Sequence, residues 1–78
     1  MKIKLKAKSD LTLVLAKKVA ETASKCASDI RVLSSNKSAN AKSLMGVIAL
    51  SYKKGAELIL VAEGKDAAHA IEELKNLM

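Results

Sequence analysis

The chain has 78 residues, a net charge of +6, one Cys, one Tyr and neither Phe nor Trp. This length predicts a single domain over residues 1–78 with an aliphatic core, and the missing aromatic side chains exclude a base-stacking platform for single-stranded nucleic acid. The lone cysteine, Cys26, excludes an internal disulfide and a cysteine-based zinc site, which favours a reducing, cytoplasmic compartment.

The first predicted elements are a strand and a helix. Lysines alternate strictly with apolar residues over residues 2–8, which is the two-residue period of a strand with one solvated face. Thr12 is then positioned as the N-cap of a helix over residues 13–25, because apolar residues recur at helical spacing beyond it. Val14 falls on the lysine face of this helix. No continuous apolar run occurs here, so the sequence predicts neither a signal peptide nor a membrane span.

A hairpin and a short helix follow. Residues 29–34 and 37–41 predict two strands joined by a tight turn, in which Asn36 is expected to adopt the left-handed backbone conformation. Ser43 is then positioned as the N-cap of a helix over residues 44–50. That helix is apolar almost all round, so one face cannot bury it all and part of it stays exposed or meets a partner. A poorly amphipathic surface helix is the alternative interpretation.

The last strand and helix complete the chain. A continuous apolar run over residues 57–63 predicts a central strand, with Ile59 and Val61 on the open face of the sheet. Asp66 is positioned as the N-cap of a final helix. His69, the only histidine, points away from the apolar stripe of that helix and is expected to be solvated rather than catalytic. The apolar open face, rimmed by charge, favours no more than weak self-association as a homodimer.

The predicted element order, β-α-β-β-α-β-α, indicates an α+β fold with one helical layer. The sequence has no glycine-rich phosphate loop, no pair of metal ligands at a recognised spacing and no acid/base cluster on one element. It therefore predicts a protein that is not an enzyme and that holds neither a metal nor a cofactor.

One motif carries a family resemblance. The run Lys42-Ser43-Leu44-Met45-Gly46-Val47 resembles the regulatory-serine motif of HPr, the small phosphocarrier of the bacterial phosphoenolpyruvate:sugar phosphotransferase system. The resemblance extends from Ile3 to Met78 and is strongest from Asn36 to Gly64. It implies the HPr-like open-faced β-sandwich, in which a four-stranded antiparallel sheet carries three helices on one face. It also implies that Ser43 is a site of regulatory phosphorylation.

The chain departs from HPr where that family does its chemistry. HPr carries phosphate on a histidine within a Leu-His-Thr-Arg-Pro-Ala run, and the corresponding run here is Leu11-Thr12-Leu13-Val14-Leu15-Ala16. The resemblance places Thr12 at the histidine position, Val14 at the arginine position and Leu15 at the proline position. A phosphothreonine ester is far more inert than a phosphohistidine, so no catalytic residue is expected here. This combination resembles the catabolite-repression paralogue of HPr, which lacks the histidine and keeps the serine.

The resemblance implies a regulatory protein in carbon catabolite control. An HPr kinase/phosphorylase-like enzyme would phosphorylate Ser43 from ATP, and a transcription regulator of the LacI type would bind the product. The family's exposed docking positions correspond to Leu44, Met45 and Ile48. This interpretation involves no direct contact with nucleic acid and none with a membrane. Two alternatives stay open: a basic module that binds a polyanion through its lysine-rich first strand, and a vestigial HPr fold without phosphotransfer activity.

Overall fold

The computed structural model describes residues Met1 to Met78, and its elements follow the predicted order. The strands are β1 (Lys2–Lys6), β2 (Asp29–Ser34), β3 (Lys37–Asn40) and β4 (Glu57–Glu63). The helices are α1 (Leu13–Ser24), α2 (Leu44–Leu50) and α3 (Ala67–Leu77). None of the helices has the length and apolar character that a membrane crossing requires.

The strands form one antiparallel sheet in the order β1-β4-β2-β3. β4 lies inside the sheet, where Leu60 pairs with Ile3 of β1 on one side and with Val32 of β2 on the other. Alternate residues of β4 are buried under the helices, whereas Ile59 and Val61 are half-buried on the open face, as predicted. The continuous apolar run of β4 therefore reflects a strand with apolar neighbours on both faces.

The helices cover the other face of the sheet and close an aliphatic core. Ala16 and Ala23 of α1 are fully buried, because their small side chains let the helix approach the sheet closely. α3 contributes Ile71 and Leu74, and Leu60 of β4 lies against this layer. A core without Phe or Trp is thus filled mainly by branched aliphatic side chains and alanine, with Cys26, Tyr52 and Met78 as its other members.

The turn between β2 and β3 differs from the prediction. Ser35 adopts the left-handed conformation with φ of 55°, and Asn36 does not, so the assignment of that conformation to Asn36 was wrong. Ser34 pairs with Lys37, which leaves a two-residue turn with Ser35 as its first central residue. Tight turns that match the twist of antiparallel strands require a positive φ at that position.

Asp66 is the N-cap residue of α3, as predicted, but its side chain makes no hydrogen bond to that helix. The backbone N–H groups of Ala27 and Ser28 donate to the Asp66 carboxylate at 2.9 Å, and the Ser28 hydroxyl donates to it as well. Gly64 has φ of 144° and passes so close that a Cβ there would lie 2.7 Å from Ser28 Oγ. The carboxylate therefore connects the start of α3 to the loop between α1 and β2.

These hydrogen bonds make the fold sensitive to acid. The Ser28 hydroxyl and then the Ala27 N–H lower the pKa of Asp66 from its ordinary 3.8 to about 2. Because the folded-state pKa is depressed, the stabilisation is complete above about pH 4 and is lost as the pH falls through about 2. We expect Asp66→Asn to lower the urea midpoint of unfolding near neutral pH, with the difference from the natural chain shrinking as the pH approaches about 2.

Urea unfolding followed by circular dichroism at several pH values measures this effect. The matched control is Glu73→Gln, which neutralises an exposed carboxylate on α3 and should leave the midpoint nearly unchanged. If the urea midpoint of Asp66→Asn stayed below that of the natural chain by the same amount down to about pH 2, the ionised Asp66 carboxylate would not be the source of the acid sensitivity.

Candidate functional site

Ser43 lies in a tight turn between β3 and α2. Its backbone N–H donates to the carbonyl of Asn40 at 2.9 Å, and the N–H of Lys42 donates to the Asn40 side-chain oxygen at 2.9 Å. Ala41 between them is fully buried, and its N–H donates to the carbonyl of Ile30. The hydrogen bond from Ala41 to Ile30 therefore fixes the turn to β2, and Ser43 is exposed at the surface.

The Ser43 hydroxyl combines a structural role with access to solvent. Its oxygen accepts from the backbone N–H of Gly46 at 3.1 Å, which makes Ser43 the N-cap of α2, as predicted. The residue is exposed, and a Cβ at Gly46 would lie only 3.3 Å from Ser43 Oγ, so the glycine keeps space open around the hydroxyl. The first turn of α2 contains no acidic residue that would oppose an added negative charge.

The apolar side chains of α2 are divided between core and surface. Val47 and Leu50 are buried, whereas Met45 is 76% exposed. Leu44 and Ile48 are half-buried and pack against the core. The expectation that all three docking positions are exposed is thus correct in full only for Met45, because α2 lies against α1 and β3 and its flanks contact those neighbours.

The start of α1 is also apolar and exposed. Thr12 caps the helix, with its hydroxyl oxygen accepting from the N–H of Leu15 at 3.1 Å. Leu13 is 60% exposed and Val14 is 64% exposed. The exposure of Val14 was predicted from its helical phase. The exposure of Leu13 was not predicted, because Leu13 lies three residues before the buried Ala16 and so falls on the same face of the helix. The periodicity does not show that the first turn of α1 extends past the core.

Two loop contacts hold the start of α1 near α2. The N–H of Leu11 donates to the carbonyl of Tyr52 at 3.0 Å, and the N–H of Lys54 donates to the Asp10 carboxylate at 2.7 Å. As a result, Thr12 and Ile48 border the same cavity of about 290 Å³.

A groove of about 390 Å³ lies between α1 and α2, bordered by Leu44 and by Lys17 and Lys25. Because α1 and α2 pack against each other, we group the residues of interest on the two helices and at their N-caps as the α1–α2 surface. It consists of Thr12, Leu13, Val14, Ser43, Leu44, Met45 and Ile48.

The other reactive side chains lie apart from this surface. His69 is exposed on α3. Cys26 is buried, and burial together with the nearby Asp66 carboxylate raises the pKa of its thiol, which keeps the thiol protonated at neutral pH. No three His, Cys, Asp or Glu side chains are grouped as a metal site requires. The chemistry available on the α1–α2 surface is therefore that of two exposed hydroxyls beside apolar side chains and lysines.

Comparison with known proteins identifies the family. The sequence model PTS-HPr, described as the PTS HPr component phosphorylation site, matches residues 1–78. The chain belongs to the HPr family of the phosphotransferase system. The phosphocarrier protein HPr of Mycoplasma capricolum is 40% identical over 60 residues, which cover 77% of this chain and 67% of that protein. Membership of this phosphocarrier family confirms that the chain is not an enzyme.

Solved structures of HPr-family proteins confirm the fold. The histidine-containing phosphocarrier protein of Mycoplasma superposes with a TM-score of 0.92 at 35% identity, covering 100% of this chain and 91% of that one. Crh of Bacillus subtilis, described as a catabolite repression containing protein and solved as a dimer with a swapped domain, gives a TM-score of 0.79 at 31% identity. It covers 99% of this chain and 88% of Crh. The open-faced β-sandwich implied by the resemblance is therefore correct.

Proposed function

We propose that this HPr-family chain, a single HPr-like domain over residues 1–78, is a cytoplasmic regulatory protein of carbon catabolite control. An HPr kinase/phosphorylase-like enzyme phosphorylates Ser43 from ATP, and a LacI-type transcription regulator binds the phosphorylated form through the α1–α2 surface. The observation that carries this proposal is the exposure of Ser43, the N-cap of α2, together with the exposed Met45 in the first turn of the same helix. Incubation with HPr kinase and ATP tests it, and the intact mass should rise by one phosphate.

The residues at the start of α1 support the loss of the phosphocarrier role. Thr12 stands where the family resemblance places the histidine, and a phosphate on its hydroxyl would form an ester too inert to be handed on. Val14 stands where the resemblance places an arginine, and its side chain cannot donate to a phosphate. The likeness to Crh, a protein named for catabolite repression, supports the regulatory role.

The charges around Ser43 support a phosphate-controlled switch. Phosphorylation adds about two negative charges at neutral pH. Lys42 is the adjacent residue, and the groove next to Leu44 is bordered by Lys17 and Lys25 against the single carboxylate of Glu21, so the net positive charge favours the added phosphate. An arginine or lysine of the partner then distinguishes the phosphorylated from the unmodified form, while Met45 supplies apolar contact.

Met45→Asp is expected to weaken binding of the phosphorylated protein to a LacI-type regulator by about 30-fold, or ~2 kcal/mol, because it places a charge in the apolar part of the interface. The thermal midpoint should stay nearly unchanged, since Met45 is 76% exposed. Calorimetric titration with both proteins measures the affinity. The matched control is Ala68→Asp, which adds the same charge at an exposed position of α3. Equal affinity of the Met45→Asp and natural proteins would contradict the docking role.

A second candidate function rests on β1. Lys2, Lys4 and Lys6 point to the open face along this edge strand, and none of them forms an ion pair within the protein. Such a row of free lysines is suited to a polyanion, although it also protects a sheet edge from pairing with another strand. A steep fall of nucleic-acid affinity with rising salt would favour this function. Failure of both the kinase test and this test would favour a vestigial HPr fold.

Self-association is proposed to be weak at most. The open face of the sheet carries Leu33, Ile59 and Val61, and each of them is only half-exposed or less because the strands and neighbouring side chains cover the rest. Such a small apolar strip provides far less area than a stable dimer buries. Sedimentation at high protein concentration measures the extent of dimer formation, and a dimer through this face would be disrupted by Val61→Lys.

A further inference from the structure

Tyr52 has a buried hydroxyl that the fold leaves without a partner. The residue is 3% exposed and lies in the loop between α2 and β4. Its Oη is the one buried side-chain polar atom that makes no hydrogen bond. Burying a phenol hydroxyl without a partner costs folding free energy, so such an atom points to an interaction outside the chain.

A polar cavity lies beside this tyrosine. It has a volume of about 300 Å³ and separates the β2–β3 turn from the α2–β4 loop. Three serines, two lysines and the tyrosine form its polar lining, and no acidic residue borders it: these are Ser34, Ser35, Lys37, Ser51, Tyr52 and Lys53. We call this the Lys37–Lys53 cavity.

The backbone around the Lys37–Lys53 cavity is unusual. Ser35 has φ of 55° and Ser51 has φ of 48°, and these are the two non-glycine residues of the chain with positive φ. Both border the cavity. Ser35 takes this conformation as the first residue of the β2–β3 turn, and Ser51 takes it as the C-cap of α2. The tyrosine with the orphaned hydroxyl and the two lysines thus border one cavity, between two tightly turned segments.

The lining defines the chemistry of the ligand. Two ammonium groups without an opposing carboxylate suit about two negative charges. Serine and tyrosine hydroxyls donate best to a ligand with several acceptor oxygens. Lys37 Nζ donates only to the carbonyl of Ala49, at a long 3.4 Å, so it has donors to spare. The volume of about 300 Å³ is at the small end of ligand sites.

We infer that the Lys37–Lys53 cavity binds inorganic phosphate or a small phosphate monoester. Lys37 and Lys53 pair with the dianion, and the serine and tyrosine hydroxyls donate to its oxygens. This site is distinct from the α1–α2 surface. Ser51, Tyr52 and Lys53 also border the cavity beside Thr12, but Ser34, Ser35 and Lys37 border only the new one.

The test uses Tyr52 as its own reporter, because a chain with one Tyr and no Trp owes its intrinsic fluorescence to that residue alone. Sodium phosphate is titrated against sodium chloride at constant ionic strength, with tyrosine fluorescence and backbone amide shifts recorded. We expect a saturable change with phosphate and amide shifts centred on residues 34–37. Lys37→Ala should weaken the affinity about tenfold, and Lys54→Ala, a neighbouring lysine outside the lining, should leave it unchanged.

A second variant separates binding from folding. Tyr52→Phe removes an unpartnered hydroxyl, so in phosphate-free buffer it should unfold at the same or a higher temperature than the natural protein. A phosphate titration of Tyr52→Phe, followed by backbone amide shifts, should show weaker binding than that of the natural protein. A parallel titration with glycerol 3-phosphate shows whether the free ion or the monoester binds more tightly.

Three results would overturn the inference. They are a fluorescence response that is absent or equal in chloride, an affinity that Lys37→Ala leaves unchanged, and amide shifts confined to residues 11–13 beside Thr12.

Discussion

Incubation with phosphoenolpyruvate and the general phosphotransferase enzyme is expected to leave this chain without transferable phosphate. Thr12 is committed to capping α1, and an ester on its hydroxyl would not pass phosphate on. Val14 offers no guanidinium, and His69 lies on α3, outside the α1–α2 surface. The measurement is incorporation of acid-labile radiolabel from phosphoenolpyruvate. Label that transfers onward to a sugar permease subunit would contradict the proposed loss of the carrier role.

The converse experiment installs the family's residues together as Thr12→His, Val14→Arg and Leu15→Pro. The structure favours this combination, because Val14 is 64% exposed and leaves room for an arginine. The N–H of Leu15 donates only to the Thr12 hydroxyl, and Thr12→His removes that hydroxyl. Leu15→Pro therefore removes an N–H that no longer has its partner. A proline in the first helical turn is tolerated, and loss of the Thr12 cap costs about 1 kcal/mol.

The triple variant should take up acid-labile phosphate where the natural chain takes up none. Val14→Arg alone is the matched control, because it adds the arginine without a nucleophile and should remain unlabelled. Circular dichroism confirms that each variant is folded. A folded triple variant without label would show that more than these three residues separates this chain from a phosphocarrier.

Ser43→Ala is expected to abolish modification by HPr kinase and ATP. Alanine also removes the cap of α2, at a cost of about 1 kcal/mol, so loss of modification could reflect a frayed helix. Ser43→Asn resolves this, because asparagine caps a helix as well as serine does but has no hydroxyl to phosphorylate. The asparagine variant should therefore keep the thermal midpoint of the natural chain and remain unmodified.

Mass spectrometry of the phosphorylated chain measures the result. Ser38→Ala is the matched control, since Ser38 is an exposed serine in β3 and its loss should leave one phosphate in place. Phosphate found on Thr12 or Ser38, or none in the presence of an active kinase, would contradict the assignment of Ser43.

The sequence alone determined the properties that depend on one element at a time. The alternation of side chains along a strand determined that Ile59 and Val61 share one face of β4, and the helical phase of α1 determined that Val14 is exposed. The caps at Thr12 and Ser43 were equally predictable, because a cap forms with N–H groups only three residues away. The resemblance supplied the family and the roles of Ser43, Thr12 and Met45, and those roles stay predictions.

Only the tertiary structure decided which elements face one another. The Asp66 carboxylate accepts from an N–H 39 residues away rather than from its own helix, because the packing of α3 places the α1–β2 loop within hydrogen-bond distance of it. The burial of Tyr52, the exposure of Leu13 and the cavity shared by Thr12 and Ile48 likewise follow from contacts between distant segments. The periodicity of a sequence predicts the direction of a side chain relative to its own helix or strand. The strand order β1-β4-β2-β3 and the adjacent loops determine which residues that side chain contacts.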